Sequence, residues 1–183
     1  MNFYEIGWWI YPIVVGLVVY FGLRATQSKT KPLTRTSTYY YTIQASTFVP
    51  MDGSIGYTKS DFAMTAGEKG KVVGFAAPVH LPHGAKITCF EFGVYDNCAT
   101  ENITAQLLCS WNLTDFASSS TIISKLHTSG QPKETILNSG PLQHSVDTKS
   151  YYFAYVQWTV PDTPAEIKAH SARITYTILE PAY

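Results

Sequence analysis

Alternation of apolar and polar residues is clearest at 151–160, YYFAYVQWTV. Tyr152, Ala154, Val156, Trp158 and Val160 fall on one face, and Tyr151, Tyr155, Gln157 and Thr159 on the other. A period of two is that of a strand with one side in a core and the other in water. In 172–179 the same rhythm sets Ala172, Ile174, Tyr176 and Ile178 against Arg173, Thr175 and Thr177. Runs at 39–45, 71–81, 87–96, 103–111 and 121–129 are rich in Val, Ile, Thr, Tyr and Phe and are bounded by turn residues. The stretch that follows, with Gly130, Pro132, Gly140 and Pro141, reads as a loop. No window after residue 38 carries an apolar stripe of period 3.6. About eight short strands without helices predict an all-β domain, an antiparallel sandwich or jelly roll.

The N-terminus follows a different pattern. Between Glu5 and Arg24 lie eighteen uncharged residues, IGWWIYPIVVGLVVYFGL. As a helix they would span about 27 Å, close to the roughly 30 Å of bilayer hydrocarbon. Trp8, Trp9 and Tyr11 crowd one end, and Tyr20, Phe21 and Arg24 mark the other, as interfacial belts require. MNFYEIG lacks the basic n-region of a secretory signal, and no small-residue cleavage site follows. An uncleaved transmembrane anchor is therefore expected over 1–23. Residues 24–38 read as a basic polar linker and 39–183 as the sandwich domain.

Charge bears on orientation. The chain of 183 residues balances 13 Lys and Arg against 13 Asp and Glu, so no global field recruits nucleic acid. Arg24, Lys29, Lys31 and Arg35 lie close behind the span without an acid among them, which favours a cytoplasmic domain. Long domains cross membranes largely regardless of such charges, and the expectation here is the periplasmic or outer face.

Candidate chemistry is sparse. His80 and His83 are close in sequence but have no third ligand near them, and His127, His144 and His170 stand alone. Asp96, Asn97 and Glu101 gather oxygen atoms in one loop and are weak candidates for calcium, although Asp96–Asn97 also suits a turn closed by side-chain-to-backbone bonds. Ser118–Ser120 lack the setting of a nucleophile elbow. No catalytic residue and no cofactor is expected.

The cysteines invite a register test. Cys89 and Cys109 lie on consecutive strands, nearly symmetric about the 97–102 loop, and opposing them would turn Phe90, Phe92 and Val94 away from the side of Ile103, Ala105, Leu107 and Trp111. A shift of one residue aligns the apolar sets and separates the sulfurs, so free thiols are expected, with Cys109 toward the core.

Phe48–Val49–Pro50, the run PVHLPHGA at 78–85, Tyr95–Asp96–Asn97 and Arg173–Ile174–Thr175–Tyr176 carry a resemblance. Over roughly 39–179 the chain is similar to a group of exported bacterial β-sandwich domains of uncharacterised function. The resemblance implies an exported, non-enzymatic sandwich and transfers no catalytic residue.

Together these features lead to the expectation of a membrane-anchored accessory or structural subunit of a larger membrane complex. Its partners would be neighbouring subunits and the lipid bilayer, with Tyr151 and Tyr155 at an interface, and no small-molecule substrate is evident. Two alternatives come from other classes: a pilin-like filament subunit, suggested by Glu5, and a carbohydrate-binding module displaying aromatic residues.

Overall fold

The computed structural model describes residues 33–60, 62–112, 119–129 and 133–182. The assigned anchor, including Trp8, Trp9, Tyr11, Tyr20, Phe21 and Arg24, lies outside them. Among the described residues no helix is long and apolar enough to cross a membrane. The chain divides into two units, Arg35–Glu180 and a smaller one of residues 1–34 with 181–183. Within the smaller unit the Ala182 amide donates to the Leu33 carbonyl at 2.8 Å.

The larger unit is an antiparallel sandwich. In chain order its strands are β1 (Thr34–Ile43), β2 (Val49–Pro50), β3 (Tyr57–Lys59), β4 (Met64–Ala66), β5 (Val72–Val79), β6 (Lys86–Asp96), β7 (Thr104–Ser110), β8 (Ser120–His127), β9 (Lys133–Asn138), β10 (His144–Ser145), β11 (Tyr151–Thr159) and β12 (Ile167–Pro181). One sheet runs β10–β6–β12–β4–β3, with β1 also on β12 and β9 also on β6; the other runs β2–β5–β11–β7–β8.

The alternation read at 151–160 holds in the fold. Tyr152, Ala154, Val156, Trp158 and Val160 are buried, and the residues between them face outward or are half-buried. Trp158 stacks on Phe75 with 5.4 Å between ring centroids, and Phe48 meets Phe92 edge-on at 5.7 Å. These rings join the inner faces of the two sheets into one core.

Three expectations need correction. The stretch after 129 contains β9, hidden in the sequence because Lys133, Glu134 and Asn138 are poor strand formers. β1 starts at Thr34, inside the stretch read as linker, ahead of the tyrosines that mark it in the sequence. β6 and β7 are consecutive but lie in opposite sheets, so no register relates them. Cys109 is buried, Cys89 half-exposed, and both are free thiols along with Cys98. The outcome matches the expectation, but its cause is that the two strands face each other across the core. The pairing of β7 with β8 slips between Leu107 and Leu108, with Ile123 of β8 as the extra residue; Leu107 through Ser110 are buried in succession and Trp111 is exposed.

Candidate functional site

The residues of β11 that do not enter the core define one broad surface. On the outward side of the five-stranded sheet, Tyr151, Phe153, Tyr155 and Gln157 succeed one another at every second position. That row is about 20 Å long at roughly 3.4 Å per residue. Tyr155 pairs with Ala76 on β5 and Gln106 on β7, and Gln157 pairs with Gly74 and Thr104.

Gly74 decides how Tyr155 lies. A β-carbon at residue 74 would come 2.6 Å from the Tyr155 hydroxyl oxygen and 3.0 Å from Cε2, so the ring rests over the bare backbone of Gly74. A glycine inside a strand often marks such a close approach. The Tyr155 hydroxyl donates to Gln157 Oε1 at 2.8 Å. Burial pushes the phenol above its ordinary range, so it remains a neutral donor. Here a flat ring stands level with the Gln106 amide, with the Gln157 amide in the next row of the sheet.

Tyr151, 45% exposed, stands at the other end of the row. It borders a groove of about 300 Å³ between Pro78–Leu81 and the 146–150 turn. Behind it Tyr152 points inward, where its hydroxyl accepts from the Asp147 amide at 3.0 Å and lies 3.2 Å from His144 Nε2. A neutral imidazole with its proton on Nδ1 satisfies this set, since Nε2 then accepts the Tyr152 hydrogen. Burial lowers the His144 pKa from 6.5. The unfolded chain therefore takes up this proton first as pH falls. Stability is complete above about pH 6.5 and declines below it. The expected fall in melting midpoint between pH 7 and pH 5 includes a contribution from His144 that His144→Asn removes. Equal slopes for the two proteins would count against this assignment.

The other sequence candidates are accounted for individually. Tyr151 and Tyr155 share the outward face of β11, the first exposed and the second half-buried. The Asp96 carboxylate is turned inward: it is 1% exposed, accepts the Cys98 amide at 3.1 Å on Oδ1, and takes the Thr128 hydroxyl on Oδ2. That is the turn chemistry, not an open calcium loop. Asn97 is exposed and its amide donates to the Glu166 carbonyl at 2.8 Å. Glu101 lies half-exposed beyond the turn. His80 and His83 are both exposed, and among the described residues no group of three His, Cys, Asp or Glu side chains is placed to hold a metal. The groove and Gly74 were missed by sequence reading, although an isolated glycine in a strand was the available signal.

No protein-family model and no curated protein matches the chain. Solved structures are similar to it at low scores. The C-terminal CBM6 of a marine laminarinase from Zobellia galactanivorans is 13% identical, with 75% of this chain and 99% of that one covered and a TM-score of 0.47. The xylan-binding module CBM15 is 14% identical over 80% of this chain and 100% of that one, with a TM-score of 0.44. A low-affinity xylan-binding module, CBM86, from Roseburia intestinalis is 15% identical over 78% and 96%, with a TM-score of 0.42. At these identities the likeness is one of fold. The expected accessory subunit of a membrane complex is corrected to this extent: the neighbours are named as carbohydrate-binding modules, the alternative reading, and none of them carries a role to this chain.

Proposed function

We propose that the domain is a non-catalytic carbohydrate-binding module that takes a neutral glycan along the outward face of β11. The observation that supports this most is Tyr155 lying over Gly74 with its hydroxyl on Gln157. Sugar rings have apolar C–H faces and hydroxyl rims. The negative face of an aromatic ring suits the first, and planar amides that both donate and accept suit the second. Tyr151 and its groove would hold a further unit of the same chain. Lys125, beside Gln106 on β8, is the one fully charged side chain in these rows, so the ligand class is neutral.

Affinity gel electrophoresis of the full chain tests the reading, with laminarin, arabinoxylan or hydroxyethylcellulose cast into the gel. At least one polymer should retard it. Tyr155→Ala should then weaken binding by about 30-fold, the scale of a buried aromatic anchor, at an unchanged unfolding midpoint. Gly74→Ala, which displaces the far end of a flexible side chain without touching the core, should weaken binding in the same direction. Mobility unaffected by all three polymers would sink the proposal.

A further inference from the structure

The opposite face of the sandwich is furrowed, and the register explains why. Three rows cross the outward side of the seven-stranded sheet. In one, Arg173, Glu91 and Asn138 stand side by side on β12, β6 and β9. In another, Lys168, Tyr95 and Glu134 do the same. The row between them has Gly93 at its centre, opposite Ile136 on β9. On β12 the pairing jumps from Ala169–Val94 to Ala172–Phe92, so His170 and Ser171 together oppose Gly93. This is a β-bulge, a device that re-aims side chains and is common beside binding sites. A glycine opposite the bulge leaves the middle row without a side chain at its centre. A β-carbon there would come within 3.3 Å of His170 Cβ.

The resulting furrow crosses the strands from Thr42 on β1 to Ile136, in adjoining segments of about 200, 460 and 680 Å³. Across β1–β12–β6–β9 it is about 14 Å long at roughly 4.8 Å per strand. Its walls are ordered. Arg173 Nε donates to Glu91 Oε2 at 2.6 Å, and Asn138 Nδ2 donates to Glu91 Oε1 at 3.1 Å. The Tyr40 ring faces the guanidinium with 5.7 Å from centroid to Cζ. The other wall is the Tyr95 ring with the Lys168 ammonium 5.3 Å from its centroid. Ile136, 65% exposed, supplies an apolar end. His170 Nδ1 donates to the Phe62 carbonyl at 2.8 Å, which leaves Nε2 in a buried position without a partner among the described residues.

We infer that this furrow is a second saccharide site, which rests on the glycan-binding reading of the β11 face and makes the domain bivalent. The chemistry that recommends it is independent of that face. The Arg173–Glu91 pair is neutral as a unit, and among the described residues no group takes the terminal guanidinium donors. Those donors lie beside the exposed Ser171 and Thr42 hydroxyls, which both give and take hydrogen bonds, so that giving and taking alternate over a short span. Vicinal hydroxyls of a neutral sugar need that alternation, and a phosphate or carboxylate does not. The apolar end at Ile136 and the bare floor at Gly93 admit the flat C–H face of a ring.

Titration calorimetry of the full chain separates the two sites, using xylohexaose, laminarihexaose and cellohexaose as probes. The hexasaccharide that binds should give two sites per chain. Ser171→Trp, which fills the furrow from an exposed position, should leave one, as should Arg173→Ala. Tyr155→Ala should also leave one, and Tyr155→Ala with Ser171→Trp none. Wild-type protein should scatter light when mixed with the matching polysaccharide, because two faces bridge chains, and each single variant should lose that scattering while still binding. One site in the wild type, abolished by Tyr155→Ala and indifferent to Ser171→Trp and Arg173→Ala, overturns the inference and leaves the β11 reading standing. One site abolished by Ser171→Trp and indifferent to Tyr155→Ala sustains the furrow as a site but overturns bivalency and the β11 reading. Heat from none of the three sugars overturns both.

Discussion

Asp96→Ala is expected to lower the unfolding free energy by about 3–5 kcal/mol, and the melting midpoint by roughly 10–15 °C. Asp96 ends β6 in the seven-stranded sheet, and its carboxylate takes the Cys98 amide and the hydroxyl of Thr128, which follows β8 in the other sheet. Thr128 in turn accepts the Ile103 amide on its hydroxyl at 3.0 Å and donates its own amide to the Ile103 carbonyl at 3.0 Å. One buried carboxylate thus ties the ends of both sheets together. Alanine leaves the buried Cys98 amide without its acceptor and the Thr128 hydroxyl with only the longer bond to Asn102 Oδ1 at 3.3 Å, and a buried donor that loses its acceptor costs about 1–3 kcal/mol. Against a typical total of about 5–15 kcal/mol, that is a large fraction. Asp96→Asn keeps one acceptor oxygen and should cost about half as much. Chemical denaturation of both variants decides it. A loss below about 1 kcal/mol for Asp96→Ala would show that water replaces the carboxylate and that the network is not a tie between sheets.

How much of this could be read from the sequence varies with the element. β11 was legible because every position obeys a period of two, with no bulge along its pairing to β5 or β7. Its outward tyrosines, Tyr151 and Tyr155, were legible for the same reason. β9 was not, because its side chains are those of a loop, and only pairing with the long β6 makes it a strand. Nor does alternation say which sheet a strand joins, so β6 and β7 read as a hairpin although they lie across the core from each other. The slip at Leu107–Leu108 and the bulge at His170–Ser171 leave no local mark either, since both follow from the partner strand. Gly74 and Gly93 sit inside strands, where glycine weakens the element unless something approaches the backbone closely. That signal was present, but what approaches each glycine required the register. The function expected from the N-terminal apolar run rested on residues outside the described ones, while the surfaces proposed for recognition are made by strands far apart in sequence.

Phe92→Ala should cost about 3–5 kcal/mol, as loss of a fully buried aromatic does. The ring has no exposure and meets Phe48 at 5.7 Å and Phe90 at 6.4 Å, both edge-on. Edge-to-face pairs contribute about 0.5–1.5 kcal/mol beyond the area they bury, and alanine removes two of them together with the volume. Phe92→Leu keeps most of that volume and should cost well under half as much. The position matters beyond stability because Glu91 and Gly93 flank Phe92 on the opposite side of β6. Loosening the strand at 92 therefore disturbs the furrow's ion-paired wall and its floor together, whereas β11 belongs to the other sheet. At a temperature where Phe92→Ala remains folded, it should lose affinity at the furrow while the Tyr155 face keeps its own. Calorimetry on Phe92→Ala, with Ser171→Trp and Tyr155→Ala introduced in turn to isolate each face, measures the two affinities separately. Equal weakening at both faces would mean that the core transmits strain from one sheet to the other, and that the two surfaces are not energetically independent.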